Sequence, residues 1–88
     1  MKKHTRIYLD EFDFVIDDFI PCEICAKRAV DIHHIEARGM GGSKSADEIE
    51  NLMALCRTCH IEYGDIAEFK DMLKQIHQKH LDNRESNN

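Results

Sequence analysis

Eighty-eight residues make one domain at most, with a core so thin that a staple such as a structural metal is expected. Seventeen acidic residues against twelve basic ones leave a net charge of -5, which argues against a protein that grips nucleic acid by bulk electrostatics alone. No apolar stretch is long enough to span a membrane and no secretory leader opens the chain, so its four cysteines are expected in a reducing compartment, the cytoplasm.

In chain order, Met1 to Thr5 reads as a polar, frayed start, and His4 within it carries no signal. Between Ile7 and Ile20, the residues Leu9, Phe12, Ile16, Phe19 and Ile20 fit a helical stripe with Asp10, Asp13 and Asp17 off it. The run from Phe12 to Ile16 also fits an extended segment. Either way, residues 1–21 read as an apolar segment packed on the core, its acids as a solvated face. Pro21 ends that segment, and Cys22-Glu23-Ile24-Cys25 forms a first knuckle. Ala29 to His33 alternates as a short strand, which Ile35 and Ala37 continue before the loop Arg38 to Lys44, with Gly39, Gly41 and Gly42, opens. Ser45-x-x-Glu48 resembles a capping box and places a helical turn over residues 46–50.

Leu52 to Leu55 reads as a second strand and Cys56 to Cys59 as a second knuckle. Arg57 to about Tyr63 reads as a helix stopped by Gly64. Asp65, with Glu68 three positions on, is expected to cap a last helix whose stripe is Ile66, Phe69, Met72, Leu73 and Ile76. His77 and His80 share a face of that helix and read as favourable charges near its C-terminus rather than as metal ligands. Residues 83–88 read as a disordered tail.

Chemistry concentrates between the cysteine pairs. Two C-x-x-C knuckles around one compact segment fit a tetrahedral four-cysteine zinc site better than two disulfides in a reducing compartment. Redox use of the pairs lacks the βαβ setting such a motif needs. Shared zinc would clamp the segment's ends and force His33, His34, Asn51 and His60 into one volume. His60 and one of the two adjacent histidines are then nitrogen ligands for a second ion that keeps open positions for water and substrate. The other histidine suits a general base near neutral pH. Strand neighbours point to opposite faces, so both serve one centre only if the strand ends there. Residues 26–44 carry Lys27, Arg28, Arg38 and Lys44 against Asp31 and Glu36, a local basic excess where DNA is expected to lie. Arg38, Lys44 and Arg57 are candidate phosphate contacts.

His34, Asn51 and His60, with Gly41-Gly42 between them and C-x-x-C pairs on both sides, resemble the HNH endonucleases, the ββα-metal fold, over roughly Cys22 to Gly64. The resemblance implies an α+β chain in which residues 22–82 form a small zinc-stabilised ββα-metal domain with an added C-terminal helix. It implies structural Zn2+ on Cys22, Cys25, Cys56 and Cys59. It also implies His34 as the general base that activates water, Asn51 as the residue holding the loop that presents it, and His33 and His60 as catalytic metal ligands. Many members carry aspartate where His33 stands, and some carry a further histidine where Gly64 stands. Two imidazoles without that aspartate favour Mn2+, Ni2+, Co2+ or Zn2+ more than a carboxylate does, and the implied catalytic ion is Mg2+, Mn2+, Ni2+ or Zn2+.

The implied reaction is phosphodiester hydrolysis leaving 5'-phosphate and 3'-hydroxyl ends. Small phage-encoded members are associated with genome packaging beside the terminase. The implied partners are therefore DNA and a terminase, with a nicking role, no small-molecule cofactor and a bacterial or phage-infected host cell as the setting. The competing reading is a non-catalytic zinc module that binds DNA or protein, against which the complete His34, Asn51 and His60 set argues.

Overall fold

The computed structural model describes residues 2–36 and 47–86, with side chains as far as 83. At its centre lies one antiparallel hairpin, β1 (Asp31–His34) and β2 (Leu52–Leu55). Asp31 pairs with Leu55, Ile32 with Ala54, His33 with Met53 and His34 with Leu52. All of β2 is buried because its side chains alternate between two covered faces. Leu52 and Ala54 join Ile32 and Tyr8 in one core cluster, packed by Ile7, Phe12, Phe14 and Ile20. Met53 and Leu55 join Cys22, Ile35, Cys56, Cys59 and Leu73 in the other.

The first face is covered by α1 (Lys3–Glu11), which starts before the expected segment and stops well short of Ile20. Its end is a Schellman-type turn. Phe14 N–H bonds the Leu9 carbonyl at 2.9 Å and Asp13 N–H the Asp10 carbonyl at 3.4 Å, with Asp13 at a φ of 59°. Beyond it the chain is irregular, which leaves Val15, Ile16 and Phe19 exposed rather than packed. The frayed start is corrected too. His4 is only 8 % exposed, because it lies one helical turn before Tyr8 on the same inward face.

The first knuckle is closed by Cys22 N–H to the Lys27 carbonyl at 2.7 Å and Ala26 N–H to the Cys22 carbonyl at 2.9 Å, with Ala26 at a φ of 67°. Glu23 N–H bonds the Ala54 carbonyl at 2.9 Å and docks the knuckle on β2. In place of the helical turn over residues 46–50, a 3-10 turn spans Ile49–Asn51; Ser45 and Ala46 lie outside the described residues. Next, α2 (Arg57–Cys59) is capped by the Cys56 sulfur and widens into a π-helical turn, His60–Gly64. A 3-10 turn, Ala67–Phe69, replaces the expected Asp65 cap and leads into α3 (Lys70–Ser86). That helix reaches Ser86, inside the stretch expected to be disordered. Leu81 anchors it at 5 % exposure and a Gln78–Asp82 side-chain bond of 3.0 Å spans one turn beside it.

His77 is a further correction. It is fully buried mid-helix, with Nδ1 2.7 Å from Glu23 Oε1 and Nε2 2.6 Å from the Ile49 carbonyl. Both ring nitrogens face acceptors, so both donate and the ring is an imidazolium. Burial opposes that charge, but the hydrogen bond and charge of Glu23 outweigh it and raise the pKa above the usual imidazole range. Glu23 also accepts from Tyr8 Oη at 2.6 Å and from Ala54 N–H at 3.3 Å. One carboxylate thus ties α1, β2, α3 and the first knuckle together. No helix of the described residues is long and apolar enough to cross a membrane.

Candidate functional site

Two sites follow from where the hairpin ends. At the β1 start and β2 end, the knuckles bring Cys22, Cys25, Cys56 and Cys59 together, with all four sulfurs within 4.8 Å of one another. Cys25 and Cys56 Sγ are 3.6 Å apart, and Cys59 N–H points at Cys56 Sγ from 3.4 Å. Tetrahedral zinc with Zn–S near 2.3 Å sets its sulfurs roughly 3.8 Å apart, so this quartet fits the ion. The Cys59 N–H also lowers the Cys56 thiol to about 7, against the effect of burial, while burial raises Cys59.

At the other end of the hairpin stand the histidines. The strand continues through His34, so the alternation holds: His33 points to the α2 face and His34 to the α1 face. The expectation that both converge on one centre is corrected accordingly. His33 meets His60, their ring centroids 4.8 Å apart, and with Asp65 they form a set of ligand atoms within 4.8 Å. His34 meets His4 and Asp47 in a second such set, with its Nε2 2.8 Å from Asp47 Oδ1. Both sets nevertheless border one open cleft of about 410 Å³, which Lys2 and Asp31 also line.

The π-helical turn aims His60 at β1. A one-turn widening of a helix re-aims its side chains, a device frequent at functional sites. His60 lies between two carboxylates, Nδ1 3.4 Å from Asp31 and Nε2 3.6 Å from Asp65. Gly64 makes room for the pair: a Cβ there would stand 2.5 Å from His60 Cδ2 and 3.5 Å from His33 Cε1. His33 is held below the usual imidazole range, first by burial and then by His60, and is therefore neutral, the form that ligates metals. Its Nε2 is buried with no hydrogen-bond partner among the described residues. An orphaned buried nitrogen beside a second imidazole and a carboxylate fits a divalent ion.

Asn51 sits where β2 begins. Its Oδ1 accepts from Glu36 N–H at 2.8 Å and its Nδ2 donates to the Glu36 carbonyl at 3.1 Å, while its own carbonyl accepts from Ile35 N–H at 2.9 Å. The chain just past His34 is thereby fixed to the start of β2. Arg38 and Lys44 lie outside the described residues, and Arg57 is exposed on α2 and is not among the residues lining the cleft. Lys70 lines a smaller adjoining hollow of about 140 Å³ with His33, His34 and Gly64, and pairs with Glu36 at 3.0 Å.

Four site residues are missed by the sequence reading: His4, Asp47, Asp65 and Lys70. His4 can be found by extending the Tyr8 stripe back one turn. Asp65 looks like a helix cap, and Asp47 reaches His34 only through the tertiary fold.

A family model described as HNH endonuclease matches residues 22–65, half of the chain. No curated protein and no solved structure matches the chain.

Proposed function

The chain belongs to the HNH endonuclease family, and from that premise we propose that it is a metal-dependent nuclease that hydrolyses phosphodiester bonds in DNA. The single observation that carries the proposal is the orphaned, buried Nε2 of His33, a residue that lines one cleft together with His60, Asp65 and His34. His33 and His60 would hold the ion, with Asp65 in reach as a carboxylate ligand. When bound, a divalent ion there polarises the phosphate and stabilises the leaving oxygen.

The remaining work falls to side chains. With Nε2–H of His34 donated to Asp47, the basic lone pair lies on Nδ1, which takes the proton from the attacking water. Asn51 holds the backbone beyond His34 and so keeps that nitrogen in place. Lys2 and Lys70, which line the cleft and its adjoining hollow, position phosphate oxygens as charge contacts without reading sequence. Arg38, Lys44 and Arg57 remain candidates for the same work. Four closed cysteine ligands leave structural Zn2+ no open position, so chemistry belongs to the histidine cleft.

The finer reading is a nicking enzyme beside a packaging terminase. Its support is the net charge of -5, which leaves much of the grip on DNA to a partner. Plasmid cleavage in Mg2+, Mn2+, Ni2+ and Zn2+ tests the whole proposal. The expected result is metal-dependent open circles, with H34A slowed by roughly 10²- to 10⁴-fold while still binding DNA. DNA binding without cleavage in any of these metals would instead make the chain a non-catalytic zinc module.

A further inference from the structure

We propose that His4, His34 and Asp47 form a second transition-metal site beside the His33–His60–Asp65 centre, and that filling it removes His34 from proton transfer. The second half rests on the nuclease reading above; the site itself does not. Its donors come from three separate places in the chain: α1, the end of β1 and the turn before β2. His4 lies outside the 22–65 stretch that carries the family match, so nothing in that match requires a histidine there.

The position itself would suit an apolar residue. His4 shares the inward face of α1 with Tyr8 and is 8 % exposed, yet its ring lies 4.5 Å from that of His34, tilted by 56°. One nitrogen or oxygen of each of His4, His34 and Asp47 lies within 4.8 Å of the others. His34 Nε2 and Asp47 Oδ1 are hydrogen-bonded at 2.8 Å and need open only to about 3.0–3.4 Å to serve as two ligands on one ion. Metal–nitrogen distances near 2.1 Å ask the third donor to close by about an ångström, within the reach of a side-chain adjustment. Two imidazoles and one carboxylate are the donor set of zinc, cobalt and nickel rather than magnesium.

Occupation has a chemical consequence. An ion on His34 Nε2 takes the place of the proton shared with Asp47, and the ring proton moves to Nδ1. Nδ1 then has no lone pair to take a proton from water. The cleft would therefore work with one ion and stall with two, so excess zinc inhibits.

Cobalt counting tests this in the full chain with its cysteine site already filled by zinc. Zinc-loaded protein is titrated with Co2+, passed through a desalting column and analysed for metal. The absence of a sulfur-to-cobalt charge-transfer band confirms that the cysteines keep their zinc. Wild type is expected to retain about two cobalt ions, and H4Q and D47N about one each, as does H60A, which removes the neighbouring centre. Equal cobalt uptake by wild type, H4Q and D47N would overturn the site. D47N lies on a different element from His4, so a fold lost in one variant does not hide the result. In plasmid cleavage with Mn2+, added Zn2+ should slow wild type at least tenfold and H4Q much less. Undiminished cleavage by wild type with both ions bound would overturn the blocking role. A protein that binds both ions and never cleaves would contradict the nuclease reading and leave the site standing.

Discussion

Two polar clusters flank the same hairpin and are built to opposite rules. Around Glu23 every polar atom named has a partner: Tyr8, Ala54 and His77 donate to the carboxylate, and His77 reaches the Ile49 carbonyl with its other nitrogen. Its ion pair is sealed, with side-chain exposures of 1 % and 0 %. Around His33 the imidazoles and Asp65 face a cleft, and one buried nitrogen is orphaned among the described residues. A satisfied buried network rigidifies a fold, whereas an unsatisfied one destabilises it until something binds. The difference separates the part of this chain that holds shape from the part proposed to do chemistry.

The closed side should break hardest. Structural zinc contributes about 10 kcal/mol or more, comparable to the whole stability of a small domain, so C59S should be unfolded by circular dichroism and lack stoichiometric zinc. A folded, zinc-free C59S would show that the cysteines are not the staple. Next in size is E23Q, which leaves the His77 imidazolium buried without its counter-ion. Breaking a buried pair from one side costs about 3–5 kcal/mol, read as a lower urea midpoint. Because folding raises the His77 pKa, its contribution is complete below the ordinary value of about 6.5 and is lost as pH rises through the raised one. Wild type should therefore lose stability across that window and H77Q should not; parallel profiles would remove the imidazolium from the fold.

On the open side, effects should appear in binding first. G64A drives a Cβ to 2.5 Å from His60 Cδ2, so the ring must swing away. Metal affinity in the zinc-loaded protein should fall by about tenfold, the lower end for lost support of a ligand, while the urea midpoint changes less than in E23Q. Unchanged affinity would mean that His60 does not ligate from this rotamer. The smallest effect belongs to the knuckle. A26G relieves a non-glycine φ of 67° and should stabilise by roughly 0.5–1 kcal/mol, measured by urea denaturation with zinc bound.

The closed side is the less legible of the two in the sequence. Cysteine spacing announces the four-cysteine cluster, and Leu52 to Leu55 reads as a strand because four apolar residues fit a core covered on both faces. Yet Glu23 looks like a solvated acid inside a knuckle and His77 like a charge near a helix end. Only the tertiary fold brings residues 23, 54 and 77 together. On the open side, His33, Asn51 and His60 are marked by residue type and order, and the structure places each where strand, turn and helix meet. The split of His33 and His34 to opposite faces depends on one unreadable detail, whether β1 ends before or after His34. His4 escapes notice because the helix that buries it begins among polar residues.

The contrast between the clusters comes down to His33, and H33F tests it most directly. It replaces the orphaned imidazole by an apolar ring of similar shape. Paired titrations of Ni2+ into zinc-loaded wild type and H33F, with urea midpoints taken before metal is added, supply both quantities. The expected result is loss of the His33–His60 ion together with an unchanged or raised midpoint, since the variant removes an unsatisfied polar atom from a buried place. A midpoint that drops by as much as in E23Q, with nickel binding intact, would mean that His33 belongs to the closed side and that the cleft holds no metal through it.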